Sequence, residues 1–388
     1  MQVPPAAERV DTTEGLTAWQ RSSPPVLSGE HAVDGVQGVP MDRFLPDVNL
    51  LRGVAYAHLR TCFKKRVQWN DARLREAWIN RHSWDHMDTV AKGVYHLGTR
   101  MQASFEDVLA VTLATRFHDI GYEFPKGVLP ETLCKEQHKQ HAQHGADLFV
   151  DKLNELRRTN GSVRDALPWW AERHNELAHG AIRLHSNGTP REMQQEPQSA
   201  EEVLPLLPRL LDKLDNSAHR VYADHEAKFS AVPHKSMQHI LHCVRQGTRW
   251  LMEPPADGAR HKSPPDDVFR KLEAYEYGFV HRLVPMAITD QRLHLQDGTI
   301  GVQYAVYPSK VESLLGVKYT PADHSRHFDE AYDKSMRNAA EVAQLIRRQL
   351  FGPKAKADGP PLRVHLMYED GTDMFKEYAV APKTDVVH

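Results

Sequence analysis

The chain has 388 residues, enough for one large core or for a main domain with a smaller companion. Apolar residues make up 40%, somewhat low, so part of the chain is expected to lie outside any core. Forty-nine Lys plus Arg against 51 Asp plus Glu leave a formal charge of −2, which excludes a global electrostatic pull toward nucleic acid or an anionic membrane.

In chain order, residues 1–46 carry Pro4-Pro5, Pro24-Pro25 and Pro40 without a sustained period, and read as a disordered arm. From Asp47 the pattern turns helical, with Leu50, Leu51, Val54, Ala57 and Leu59 running into Lys64-Lys65-Arg66. Asp71 is expected to cap a separate short helix over 71–79. A long helix from Ser83 puts His86, Val90, Val94 and Leu97 on one face, so His86 lies in line with core residues. Ser104-x-x-Asp107 resembles a capping box opening the apolar run 108–117, which ends at His118-Asp119 before a turn at Gly121. Residues 123–133 read as a loop. A helix over 136–157 follows, with Ala142, Ala146, Phe149, Val150 and Leu153 as its apolar set. Trp169 to Leu184 reads as a helix, 186–200 as a polar loop, and Glu201 to His219 as one helix with Leu204, Leu207, Leu211 and Leu214 on a face. A helix at 236–252 and a proline-bracketed loop at 253–265 close this part.

After 282 the texture alternates. Leu283 to Thr289 and Ile300 to Tyr307 read as strands, with a hairpin signal at Gln296-Asp297-Gly298-Thr299. A helix over 328–350 precedes strands at Leu362 to Tyr368 and Met374 to Val380. The fold class expected is therefore mainly α: a helical bundle over 47–280 with a small α+β (ββαββ) C-terminal unit over 281–388.

The only cysteines, Cys62, Cys134 and Cys243, are widely spaced, which argues against a disulfide framework or a thiolate zinc site. The first residues hold no apolar signal core, and no apolar run approaches the roughly 18–20 residues of a membrane span. A soluble, cytoplasmic protein with no membrane partner is expected. No clear nucleic-acid patch emerges, and homo-oligomerisation is left open.

His118 and Asp119 end a buried run, and burying such groups without partners costs several kcal/mol. Imidazole and carboxylate suit hard divalent ions and iron. His86-x-x-x-Val90-Ala91, Phe117-His118-Asp119-Ile120-Gly121, His141-x-x-x-Gly145-Ala146, Ala181-Ile182 with His185, and Leu211-Asp212 occur in that order. In this order and helical context the sequence resembles the HD superfamily of metal-dependent phosphohydrolases over roughly 80–220. The resemblance implies one divalent ion held by His86, His118, Asp119 and Asp212. It implies a second on His141 and His185, with Asp119 bridging and Mn, Mg, Co or Fe as the metal. The chemistry expected is metal-bound hydroxide attacking a phosphoester, with His118 and Asp119 fixing the metal and a neighbouring histidine or Asp215 moving protons.

Several residues compete for these places. His138 and His144 share a stripe with His141, His174 and His179 rival His185, and Asp215 follows Asp212 by one turn, where a helix-surface or substrate contact is expected. His82 is expected to be exposed. Tyr122 stands where many relatives carry a phosphate-contacting lysine, and Lys126 is the nearest replacement, though loop lysines are mostly solvated. Lys64, Lys65, Arg66, Arg73, Arg75 and Arg81 could meet a nucleotide's phosphates, and Trp84, Trp169 and Trp170 could stack a base, but a charged face and core packing are the plainer readings. The expected substrate is a small-molecule phosphoester or nucleotide. A di-iron oxygenase and a nucleotide-sensing module without turnover are the rival readings.

Overall fold

A computed structural model describes residues 41–76, 80–101, 103–124, 130–186, 199–216, 218–222, 225–227, 280–296, 298–352 and 359–380. The arm up to residue 40, the helix expected at 236–252, the loop at 253–265, Cys243 and Lys126 lie outside these residues.

Helix α1 runs unbroken over Met41–Glu76. It starts within the stretch read as an arm, with Asp42 in its first turn, where an acidic side chain favours a helix start, and it runs on through Pro46. Ala55, Leu59, Phe63 and Val67 repeat every four residues and are buried. The separate helix expected at Asp71 does not form. Asp71 is internal, and its carboxylate accepts from the Tyr222 hydroxyl at 2.8 Å instead of capping. One turn of α1 holds the chain beyond the His-Asp pair: Arg66 Nε, Asn70 Nδ2 and Trp69 Nε1 donate to the carbonyls of Ile120, Tyr122 and Phe124 at 2.8, 2.7 and 2.9 Å.

Helix α2 (Trp84–Gly98) and helix α3 (Phe105–Thr115) pack side by side. Ser104 accepts from Asp107 N at 3.1 Å, one half of a capping box. The Asp107 carboxylate faces Arg173 and His174 instead, each 3.2 Å away. Helix α3 stops at Thr115, so His118 and Asp119 stand on the turn after it rather than in its last turn. The buried hydroxyls of Thr112 and Thr115 donate to carbonyls four residues back at 2.7 Å, which makes them tolerable in this apolar helix.

Helix α4 (Pro130–Thr159) begins six residues earlier than expected, with proline at a helix start where its missing N–H costs nothing. The short α5 (Gly161–Ala166) leads to a turn carrying Trp169 and Trp170. These rings pack on His174, so the next helix, α6 (Glu172–Ser186), starts later than expected. The single helix expected from Glu201 to His219 is broken by Pro205 and Pro208 into α7 (Ala200–Val203), a 3₁₀ turn (Leu204–Leu206) and α8 (Leu207–Leu214). A second 3₁₀ turn follows at Ala218–Arg220.

The strand expected at Leu283 is instead helix α9 (Val280–Ala287), and β1 begins only at Ile288. Leu283, Val284, Met286 and Ala287 are all buried, and in such a run the period does not tell helix from strand. Strands β1 (Ile288–Gln296) and β2 (Thr299–Val306) form an antiparallel hairpin with Gly298 at φ 76° in the turn. Helices α10 (Pro308–Leu315) and α11 (Pro321–Phe351) make the crossover that lets β2 pair in parallel with β3 (Leu362–Tyr368). Helix α11 starts earlier than expected because Thr320 and Asp323 form a reciprocal capping box with Pro321 inside it. Strand β4 (Asp373–Tyr378) closes the order β1-β2-β3-β4. The fold is mainly α with one small sheet, so an all-α description fits only the helical part. The sheet is not merely appended: one contiguous buried cluster runs from α1 to β4, and α11 packs on α8, α9 and β3.

Two buried histidines away from the His-Asp pair give the fold an acid limit. Burial, helped by Arg100, pushes His96 down to about 3, and burial pushes His324 down to about 3 against the opposing Val284 carbonyl. Their folded values lie below the ordinary 6.5, so below pH 6.5 the unfolded chain binds protons that the folded chain refuses. Stability is full above pH 6.5 and falls as pH drops toward 3, by about 2 kcal/mol per histidine at pH 5. Thermal melts should show a lower Tm at pH 5 than at pH 7.5. His324→Asn should flatten that dependence by one histidine's share, and an unchanged slope would contradict the assignment.

Candidate metal centre

Five segments bring the site together. His86 comes from α2, His118 and Asp119 from the turn after α3, His141 from α4, His185 from α6 and Asp212 from α8. Two glycines permit the approach. A Cβ on Gly121 would fall 1.8 Å from the His141 carbonyl oxygen, so the His-Asp turn lies directly on the α4 backbone. A Cβ on Gly93 would sit 3.0 Å from Leu211, the residue before Asp212.

Two groups of donors share Asp119. In the first, His86 Nε2 lies 3.3 Å from His118 Nε2, 3.1 Å from Asp212 Oδ1 and 3.6 Å from Asp119 Oδ2, and His118 Nε2 is 3.1 Å from Asp119 Oδ2. In the second, His141 Nε2 and His185 Nε2 are 2.9 Å apart and lie 3.5 and 3.4 Å from the other oxygen, Asp119 Oδ1. Donors about 2.1 Å from one ion sit about 3.0 Å apart in octahedral and about 3.4 Å apart in tetrahedral geometry. The observed separations match the edges of such polyhedra, with one carboxylate oxygen turned to each group. The His141 and His185 side chains and that of Asp119 are each 2% exposed.

The protons are placed to leave lone pairs facing inward. His118 Nδ1 lies 2.7 Å from Thr115 O and His185 Nδ1 2.5 Å from Ile182 O, and a carbonyl only accepts, so each Nδ1 carries the proton. His86 Nδ1 meets Asp215 Oδ2 at 2.6 Å in the same sense. Burial pushes His185 down to about 4, which keeps it neutral near pH 7. Burial opposes ionisation of Asp119, Asp212 and Asp215. His118 and His82 outweigh it at Asp119, Lys213, His86 and Arg220 at Asp212, and His219 and His86 at Asp215, so all three carboxyls stay well below the usual range. His118 moves the other way: burial pulls it down, but the Asp119 carboxylate more than compensates and raises it.

The donor set fits divalent cations. Asp119 Oδ2 is a buried carboxylate oxygen that accepts no hydrogen bond, and Nε2 lone pairs converge on it in a space that a cation would satisfy.

The structure separates the competing residues. His185 enters the site. His174 is buried against Asp107 on the far side of α6, and His179 faces Asp147 at 2.9 Å on a partly exposed surface. His144 points toward Glu123 with its side chain 39% exposed, and His138 lies outside the described side chains. Asp212 faces His86 Nε2 as expected, but Asp215 is not on a helix surface. It is the buried C-cap of α8 and backs the His86 ring. His82 is half-buried rather than exposed, its ring 5.9 Å from His86 and 5.4 Å from Tyr122. The Tyr122 ring is fully buried and stacks on His141 with centroids 4.2 Å apart, so it walls the site where a lysine would carry charge. Trp84 packs edge-on against Phe117, and Arg66 is spent on Ile120, which makes both structural. Arg73, Arg75 and Arg81 meet Glu76, the Tyr222 ring and Asp85.

Sequence reasoning missed Arg220, whose guanidinium lies against the His86 ring, 3.7 Å from both Asp212 and Asp215. It also missed His219, 3.1 Å from Asp215 Oδ2, and Gln291. His219 follows Asp215 at the helical spacing of four, a signal that could have been read. Arg220 and Gln291 had none.

A helical domain with a buried, carboxylate-bridged His/Asp centre is the class that fold and site define. Residues 83–218 match the family model of the HD domain, so this stretch of the chain carries an HD domain. No curated protein and no solved structure matches the chain. Among the described residues no helix is long and apolar enough to cross a membrane.

Proposed function

We propose that this chain is a metal-dependent phosphohydrolase acting on a phosphoester, a nucleotide or a nucleotide-derived signal. The observation that supports it best is Asp119, which turns one oxygen to His86 and His118 and the other to His141 and His185. Divalent ions held there would supply Lewis acidity and lower the pKa of a coordinated water. His86, His118, Asp119 and Asp212 would hold one ion, and Asp119, His141 and His185 would hold the other. Arg220 adds a fixed positive charge beside Asp212, which suits an anionic substrate. Asp215 is ionised and committed to His86 Nδ1, so it orients that ring. Proton transfer falls to His219, which contacts Asp215 and keeps 16% of its side chain exposed.

Four imidazoles around a bridging carboxylate also suit iron, which keeps an HD-fold di-iron oxygenase as the second reading. Elemental analysis of protein purified without added metal, followed by phosphate release from a nucleotide panel with Mn²⁺, Mg²⁺ or Co²⁺, separates the two. Phosphate release is the expected result. Two bound irons with oxygen-dependent turnover and no phosphate would favour the oxygenase. Tight nucleotide binding without release at full metal occupancy would favour a sensor.

A further inference from the structure

The C-terminal sheet reaches the metal centre through one side chain. Gln291 on β1 donates from Nε2 to Asp215 Oδ1 at 3.2 Å and accepts from the Asn216 backbone N–H at 3.3 Å. Its cross-strand partner on β2 is Tyr304. The Tyr304 hydroxyl donates to the Leu214 carbonyl at 2.7 Å, one of the carbonyls that the end of α8 leaves without an intrahelical partner. Adjacent strands thus hold the end of the helix that carries Asp212. Asp215 is held through both oxygens. Oδ2 meets His86 Nδ1 and His219 Nε2, and Oδ1 meets Gln291, so the amide helps to set the rotation of the carboxylate. Packing alone does not set it, because a pocket lined by Thr89, Val90, Asp215, Gln291, Arg292 and Val302 opens beside the pair.

We infer that Gln291 is a positioning residue of the metal centre, acting through Asp215 to fix the orientation and tautomer of His86, so that the C-terminal sheet completes the site. The inference rests on the reading of this site as a metal centre. Its chemistry is general: a ligating imidazole depends on the group that takes its other N–H, and that group depends on what holds it. The effect is directional. His86 belongs to one group of donors, so loss of Gln291 weakens one ion and leaves the His141/His185 ion in place.

The test is Co²⁺ binding to full-length, metal-free protein, followed by visible absorption and chelator competition. Gln291→Met keeps the length of the side chain and removes both hydrogen bonds. It is expected to weaken one of two Co²⁺ ions about 10-fold, with the other unchanged. Gln291→Glu keeps the acceptor but sets a carboxylate against Asp215, and the same ion should weaken, which provides a second reading if one variant folds poorly. Leu295→Ala is the structural control. This residue is buried on the same strand and does not line that pocket, so Tm should fall while both affinities hold. Wild-type Co²⁺ affinities in both Gln291 variants, or an equal loss in Leu295→Ala, would overturn the inference and leave the metal centre standing. A wild-type protein that binds no Co²⁺ would overturn both.

Discussion

Asp119→Ala is expected to empty both halves of the metal centre at once. Each oxygen of this carboxylate faces a different pair of imidazoles, so both groups of donors depend on it. By elemental analysis the metal content should fall from two ions to none. His185→Ala should lose one, because His86, His118, Asp119 and Asp212 remain. Affinity for each ion should drop by at least about 100-fold in Asp119→Ala, the upper end of what even an outer partner of a ligand costs. A thermal readout is independent of turnover. A metal at 100 times its Kd stabilises the folded state by about 2.7 kcal/mol, so Mn²⁺ should raise Tm of the wild type and leave that of Asp119→Ala unmoved. Equal metal content in Asp119→Ala and wild type would remove the bridging role.

Gly121→Ala is expected to damage fold and site together. The added Cβ would meet the His141 carbonyl oxygen at 1.8 Å, Gly145 N at 2.4 Å and Gly145 Cα at 2.8 Å. All three are backbone atoms of α4, so no rotamer change relieves the overlap. Either α4 or the His-Asp turn must move by more than an ångström. The turn is held from the other side by Arg66 and Asn70 of α1, which bond the Ile120 and Tyr122 carbonyls. Overpacking of this kind costs about 3 kcal/mol or more, because the strain falls on two packed elements. The displacement separates Asp119 from His141, so the second ion should weaken even where the protein still folds. Denaturant unfolding and metal titration of the same sample check both effects. A Gly121→Ala protein with wild-type stability would show that the two backbones are not in contact. Gly145→Ala makes a milder comparison, since its Cβ would come no closer than 3.1 Å to Gly121 N.

Much of the site was readable in the linear chain because it depends on helical period and local order. His86 shares a face with Val90, Val94 and Leu97, and that face is buried as expected. The His-Asp pair ends an apolar run, so its polar atoms had to find partners. The order of the five segments placed the domain before any coordinate did. The errors have equally local causes. The helix over 280–287 looked like a strand because a short run buried on all sides carries no period. The helix at Glu201 was drawn too long because Pro205 and Pro208 were given less weight than the leucine spacing.

The choice among rival residues belongs to another level. His174, His179 and His185 all lie on α6, and the sequence alone treats them alike. They point in different directions around one helix, and only the packing of α3 and α4 against it turns His185 to Asp119, His174 to Asp107 and His179 to Asp147. Asp212 and Asp215 are likewise separated by how α8 ends: the helix carries one to the front of His86 and its C-cap turns the other behind the ring. Arg220 and Gln291 meet the site from 134 residues beyond His86 and 76 beyond Asp215. Period and propensity act over a few residues, so they settle which face of each helix is buried and which residue types it carries. Which buried face meets which is settled by the summed packing of the whole core, and at this centre that packing selects His185, places Asp215 behind His86 and brings the C-terminal sheet to the His/Asp cluster.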